Sequence, residues 1–274
     1  MNEEQSRIWN GPAGAAWVES QQSLDDMFKG FEAMLVDAVS ARGATHVLDV
    51  GCGTGGTTLA IARAIPRGRC TGIDISQPMI DLARSRASQA GIHADFIVAD
   101  AQTQALPTGV HDMIVSRFGV MFFEDPVRAF TNLRQAAAAN GALLCQVFRA
   151  ADQNPFMTAA ERAAAPLLPD LPPRAAGPGQ FAFADERYVR GILEAAGWAG
   201  IRIEPIDVEC GMPASELDRY LMRLGPVGLA LRSSEDGMRK RVLDAVRAAF
   251  DPYVRGAEVR FTAACWRLAA LATS

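Results

Sequence analysis

Between His46 and Ala62 the chain reads HVLDVGCGTGGTTLAIA, and no other stretch limits the available folds as much. Val47 to Val50 combine β-branched and apolar side chains in the way of a strand buried on both faces. Gly51, Gly53, Gly55 and Gly56 then crowd together, and Thr57 to Ala62 resumes as an apolar run with helical spacing. A strand that turns through glycines into a helix leaves unpaired backbone N–H groups at the helix start. They lie beside a backbone with no Cβ atoms to hold a ligand away. The expected object is a nucleotide-type site at the end of a buried strand.

Glycine spacing alone does not name the nucleotide. Gly51, Gly53 and Gly56 satisfy the G-x-G-x-x-G of dinucleotide folds, while Gly51, Gly53 and Gly55 satisfy the G-x-G-x-G of S-adenosylmethionine enzymes. Asp49 lies inside the strand, where a carboxylate would repel the phosphates of NAD. The sulfonium and ammonium groups of S-adenosylmethionine favour such a neighbour. Asp49 can equally bond to local backbone and stiffen the turn. The stretch resembles motif I of class I S-adenosylmethionine-dependent methyltransferases, specifically the small-molecule, ubiquinone/menaquinone methyltransferase-like group. The likeness continues in order through the first half of the chain.

CTGIDI (Cys70 to Ile75) reads as a second buried strand ending in Asp74, roughly twenty residues beyond Gly51, where a carboxylate can accept from the vicinal hydroxyls of an adenosine ribose. Ser76 is the better-placed N-cap for the following helix, Met79 to Gln89, with Pro78 in its first turn. DFIVA (Asp95 to Ala99) is a third strand, followed by Asp100 and Ala101. DMIVS (Asp112 to Ser116) is a fourth, then a helix from Pro126 and a stop at Asn140-Gly141; ALLCQVF (Ala142 to Phe148) is a fifth. This alternation implies a parallel sheet covered on both faces, with ligands beyond the carboxyl ends of its strands. The resemblance implies an α/β, Rossmann-like, doubly wound, seven-stranded, mostly parallel sheet with the last strand antiparallel, plus helical cap insertions. It implies a cofactor set of Asp49, Gly51, Cys52, Gly53, Asp74, Ile75, Met79, Asp100, Ala101, Ser116 and Arg117. Asp100 would meet the adenine, and Ser116 and Arg117 the methionine end.

Residues 1–45 read as a helical leader, with helices at Ala13 to Gln22 and Leu24 to Val39. Trp9 and Trp17 either pack it onto the main domain or make it a lid, and its W-N and A-A-W pattern resembles the lid of bacterial small-molecule methyltransferases. Residues 46–274 form the main domain, with cap insertions at about 150–180 and 212–255. Helices are expected at Asn154 to Leu168, Asp185 to Ala196, Ser215 to Leu231 and Glu235 to Phe250. Between 154 and 180 the helix gives way to a run holding Pro166, Pro169, Pro172, Pro173 and Pro178. Ile201 to Val208 suits a sixth strand, placed at an edge by Pro205, and Glu258 to Leu271 contains the last. Phe156, Met157, Phe181, Phe183, Met222 and Leu224 offer an apolar cap that suits a small-molecule acceptor.

A net charge of −4 argues against a nucleic-acid partner. Five scattered cysteines without a C-x-x-C pair suggest no metal site and a reducing, cytoplasmic setting. No apolar run has the length of a membrane span. A monomer or homodimer is expected. His46, His93 and His111 each precede a strand, at the end away from the binding edge, so no histidine base is expected. Glu19, Asp152, Tyr188 and Tyr220 are the remaining candidates, and the catalytic residue stays unassigned. Two other readings stay open: an NAD(P)-dependent oxidoreductase, and a non-catalytic S-adenosylmethionine-binding protein.

Overall fold

The structure, a computed structural model, describes residues 2–171, 174, 177–232 and 234–273. Pro172 and Pro173 lie outside the described residues. The strands are β1 (His46–Val50), β2 (Arg69–Asp74), β3 (Asp95–Val98), β4 (His111–Arg117), β5 (Ala137–Phe148), β6 (Ala199–Pro213), β7 (Val254–Arg255) and β8 (Glu258–Leu271). They form one sheet in the order β3-β2-β1-β4-β5-β8-β6, with the two-residue β7 paired to β8 beside it. The pairings from β3 through β5 are parallel, and β8 runs antiparallel to both β5 and β6. The strand order reverses between β1 and β4, which opens a crevice at their carboxyl ends.

Alternation along β1 distributes its side chains. Leu48 and Val50 enter the large core with Ile73, Ile114, Phe130 and Leu143. Val47 enters the opposite layer with Leu35, Val39, Ile61 and Val115. Asp49 shares that second face, where Thr58 of the Gly56–Ala64 helix meets it. Pro205 sits in β6, the edge strand, where its missing N–H costs no ladder bond.

Several expected boundaries move for identifiable reasons. The leader is four helices, Glu3–Trp9, Pro12–Glu19, Gln21–Met27 and Lys29–Arg42. Phe28 breaks the expected Leu24-to-Val39 helix with φ −104°, ψ 15°, and its buried ring packs edge-on to Phe31 and Phe118. The expected Ser215-to-Leu231 helix splits into Leu217–Arg223 and Gly225–Leu231 because Leu224 is extended and Gly225, ahead of Pro226, takes φ +75°. Asn140-Gly141 does not end a helix. That helix, Pro126–Ala136, stops earlier, and Asn140 at φ +60° forms a bulge in β5 where the register with β4 slips. The bulge is held by Asn140 N donating to Ala272 O and Ala272 N donating to Gly141 O, both at 2.8 Å. The helix expected from Asn154 to Leu168 covers Pro155–Ala164.

Asn154 anchors the start of the first cap insertion. It is fully buried; its Nδ2 donates to Ala264 O and its Oδ1 accepts from Ala264 N, each at 2.9 Å. An Asn154→Ala variant strands Ala264 N, while Ala264 O keeps the bond it accepts from Arg149 N at 2.9 Å, so one buried group is left unsatisfied, at about 1–3 kcal/mol. Urea unfolding should show a loss of about 1–3 kcal/mol. A loss below about 0.5 kcal/mol would mean that water replaces the amide without cost.

Candidate active site

The carboxyl ends of β1 to β4 meet at one edge, and the glycine turn after β1 closes against β2. Gly51 N and Cys52 N both donate to Ile73 O, at 2.8 and 3.1 Å. Gly51 and Gly53 take φ +66° and +53°, conformations that cost other residues strain. The loop after β4 lies directly on this turn. A Cβ on Gly51 would stand 2.6 Å from Gly119 Cα, and one on Gly119 would stand 2.5 Å from Val50 O. Ser116 holds the two loops together: its buried Oγ donates to Val50 O at 2.7 Å and accepts from Gly119 N at 3.1 Å. Phe118 makes the sharp turn between them at φ +66°. This is an uncommon conformation for an aromatic residue, retained here by stacking on Phe148 at 4.5 Å and an edge contact with Phe31.

Three carboxylates ring the edge. Asp74 accepts from Gly53 N through Oδ2 at 2.8 Å and from Ser76 N through Oδ1 at 2.9 Å. Burial raises its pKa despite these bonds. Asp49 is almost fully buried, and burial lifts its pKa from the ordinary 3.8 to about 6 even though Thr58 Oγ1 donates to it at 2.6 Å. Asp100 accepts from Gln102 N and Thr103 Oγ1 at 3.0 and 3.2 Å, the local turn pattern of a short acid. The Cys52 thiol is buried and held well above its ordinary range by that burial, so it is not a nucleophile.

The leader closes over this edge. Trp9 packs edge-on to Trp17 and Phe122 at 5.7 and 5.1 Å. Ser76 Oγ donates to Trp9 O at 2.7 Å, and Asn10 Nδ2 donates to Ile75 O at 3.0 Å. Deeper in, Asp25 pairs with Arg86 at 2.6 Å and with Arg117 at 3.7 Å. Gly56 makes room for this docking, since a Cβ there would lie 2.7 Å from Asp25 Oδ1 and 3.2 Å from Glu32 Oε2. Glu32 is raised by burial, and Arg117 opposes that shift. Arg117 Nη1 is buried without a hydrogen-bond partner. None of the Asp25, Glu32 and Arg86 interactions was foreseen from the sequence. Gly56, read only as part of the ligand turn, was the one available signal.

Together these elements enclose a cavity of about 350 Å³, within the range of small-ligand sites. Asp49, Gly51, Cys52, Gly53, Asp74, Ile75, Met79, Asp100, Ala101 and Arg117 line it; Ser116 does not, because its hydroxyl is spent on the backbone tie. Asn2, Gln5, Trp9 and Trp17 line it from the leader, and Phe156, Met157, Tyr220 and Leu224 from the cap. Of the other expected cap residues, Phe181 packs on Phe148 and Phe183 on Phe130 outside the lining, while Met222 is exposed. Glu19 is spent on a surface pair with Arg223, and Tyr188 and Asp152 face solvent. Tyr220 alone of the four candidate bases reaches the cavity, and burial pushes its pKa to about 12, so it stays protonated. None of the three histidines lines the cavity, and His111 is buried with its pKa lowered. Among the described residues no cluster of three or more His, Cys, Asp or Glu could hold a metal ion. No helix among them is long and apolar enough to cross a membrane.

Residues 47–141, from β1 to the bulge of β5, match the family described as a methyltransferase domain. Over 113 residues the chain is 30% identical to demethylmenaquinone methyltransferase of Thermus thermophilus, covering 41% of this chain and 51% of that protein. Over 143 residues it is 31% identical to aklanonic acid methyltransferase of a Streptomyces species, covering 49% and 65%. The chain thus spans only part of the length of these curated relatives. The crystal structure of the YcgJ protein of Bacillus subtilis shares the fold at TM-score 0.58 and 15% identity, covering 89% of this chain and 98% of that one.

The raised pKa of Asp49 makes stability depend on pH. Between its ordinary 3.8 and about 6 the folded chain binds this proton and the unfolded chain does not, so the stability cost is present above about 6 and relieved as pH falls. Compared with Asp49→Asn, the ligand-free protein should gain up to about 3 kcal/mol between pH 7 and pH 4. Parallel unfolding curves of the two proteins across that range would show that Asp49 ionises normally.

Proposed function

We propose that this chain, whose residues 47–141 match a methyltransferase domain, is a class I S-adenosylmethionine-dependent methyltransferase that methylates a small-molecule acceptor by direct displacement. The carrying observation is the set of three carboxylates, Asp49, Asp74 and Asp100, on one cavity wall with a glycine turn free of Cβ atoms. Such a wall suits a ligand that has a ribose, an adenine amine and cationic groups but no phosphate. Asp49 opposes the pyrophosphate of NAD(P), and nothing in the cavity favours an oxidoreductase. Enclosure of the cofactor wall together with an apolar cap space favours catalysis over simple cofactor storage.

In this reading Asp74 takes the ribose hydroxyls and Asp100, beside Ala101, the adenine amine. Ile75, Met79 and Cys52 flank the nucleoside. Gly51, Gly53 and Asp49 face the ammonium, and the unpartnered Nη1 of Arg117 faces the carboxylate. Ser116 acts by setting Gly119 against Gly51. Bound there, S-adenosylmethionine would supply an electrophilic methyl group to an acceptor electron pair, with the electrons of the broken bond returning to sulfur and any acceptor proton passing to solvent. The protein's part is orientation and exclusion of water, with residues 1–45 as lid and the segments at 150–180 and 212–255 as cap. The five free cysteines suit a cytoplasmic enzyme, acting as monomer or homodimer without nucleic acid or membrane.

Calorimetric titration of ligand-free protein should show saturable binding of S-adenosylmethionine and S-adenosylhomocysteine and none of NAD(H). Asp74→Ala should weaken both sulfur ligands by at least about tenfold, since a hydrogen bond to a charged group is worth about 1.5–3 kcal/mol. Because a cationic ligand favours ionised Asp49, affinity should rise with pH up to about 6 and level off above it. NAD(H) binding without the sulfur ligands would overturn the reading.

A further inference from the structure

The cap end of the cavity has a chemistry of its own. Phe156, near-parallel to Phe261 at 3.7 Å, sets its edge against Phe250 at 5.0 Å and lies 6.0 Å from Tyr220. Such walls accept flat rings through offset and edge contacts. Two charges line this end, Glu161 and Arg174, and they cancel in a two-pronged pair at 2.7 and 2.8 Å. Arg174 is largely saturated, since it also donates to Met157 O at 3.0 Å and to Gln180 Oε1 at 2.9 Å. It therefore offers an acceptor no open fork for a carboxylate or phosphate. Glu161 is likewise committed and offers no free anion to an amine. Nearer the cofactor wall, Asp25 is taken by Arg86 at 2.6 Å and lies 3.7 Å from Arg117, whose unpartnered Nη1 is assigned to the cofactor carboxylate. Tyr220 is the exception: its phenol has no hydrogen-bond partner among the described residues, although it lines the cavity and sits in the field of the pair.

We infer that the methyl acceptor is an uncharged, ring-bearing molecule with an oxygen that Tyr220 hydrogen-bonds, the Glu161–Arg174 pair keeping the cap end electrically neutral. This rests on the methyl-transfer reading, and it adds the acceptor's class and the residues that select it. Tyr220 here is a binding donor. Burial keeps its proton in place up to about pH 12, so it holds the acceptor oxygen without ionising it.

The test uses the full chain saturated with S-adenosylhomocysteine and titrated calorimetrically with four bicyclic probes. 1-Naphthol should bind, while 1-naphthoate and 1-naphthylmethylammonium should bind at least about tenfold more weakly, because burying an unpaired charge is costly. Tyr220→Phe should weaken 1-naphthol by about five- to tenfold, the worth of one hydrogen bond, and leave 1-methylnaphthalene and S-adenosylhomocysteine unchanged. Glu161→Gln, which frees Arg174, should strengthen 1-naphthoate by about tenfold. Failure of S-adenosylhomocysteine to bind would overturn the methyl-transfer reading itself. Normal binding of it overturns the acceptor class alone if 1-naphthol fails to bind, if either charged probe matches it, or if Tyr220→Phe changes nothing.

Discussion

The site depends on one close backbone approach: the turn after β1 and the loop after β4 touch at Gly51 and Gly119 with no room for a side chain on either. Everything on the binding edge is referenced to that contact. It brings Phe118 and Arg117 over the glycine turn, and the Ser116 hydroxyl fixes it from below. The strained Phe118 backbone is tolerated because its ring is clasped by Phe31 and Phe148. Strain at the strand end is thus offset by packing in the core, and the offset orients the wall of the cavity.

The parallel half of the fold was legible because local and global signals agree there. Apolar runs of strand length, glycine turns and the Ser76 N-cap fall at or beside the boundaries the structure shows, except that β5 begins at Ala137 and not at Ala142. Asp49 and Asp74 could be picked out since one interrupts and the other ends an apolar strand, and Asp100 through the family resemblance. What stayed hidden depends on contacts distant in sequence. Asn140 looked like a helix stop, yet Ala272 makes it a bulge. Phe28 looked like the middle of a helix, yet aromatic packing breaks the helix there. Ser116 looked like a ligand residue from its place at a strand end. That place is right, but its direction was set by Val50 and Gly119, which no spacing rule reveals.

The second half was less legible for another reason. In β6 and β8 the strands are long and antiparallel, and the insertions before β6 and between β6 and β8 carry mixed apolar and charged residues whose partners come from several segments. Arg174 finds Glu161 and Gln180, while Phe156 finds Phe250 and Phe261. From sequence these are scattered aromatic and charged residues, and Met222 and Leu224 are indistinguishable. The helix break at Gly225 separates them, leaving Leu224 on the cavity and Met222 exposed.

Charge is handled differently at the two ends of the cavity, and the difference divides their roles. At the strand edge charge is buried without full compensation: burial raises the pKa values of Asp49 and Asp74, and Arg117 keeps a buried nitrogen unpaired. An empty site of this kind costs stability, and a ligand carrying the complementary charges recovers it. At the cap end, Glu161 and Arg174 satisfy one another, so nothing is gained there by binding a charge. A cavity that is electrostatically incomplete on one side and complete on the other admits a charged cofactor to the first and a neutral molecule to the second. In the proposed methyl transfer, that division would keep cofactor and acceptor from exchanging places without any moving part.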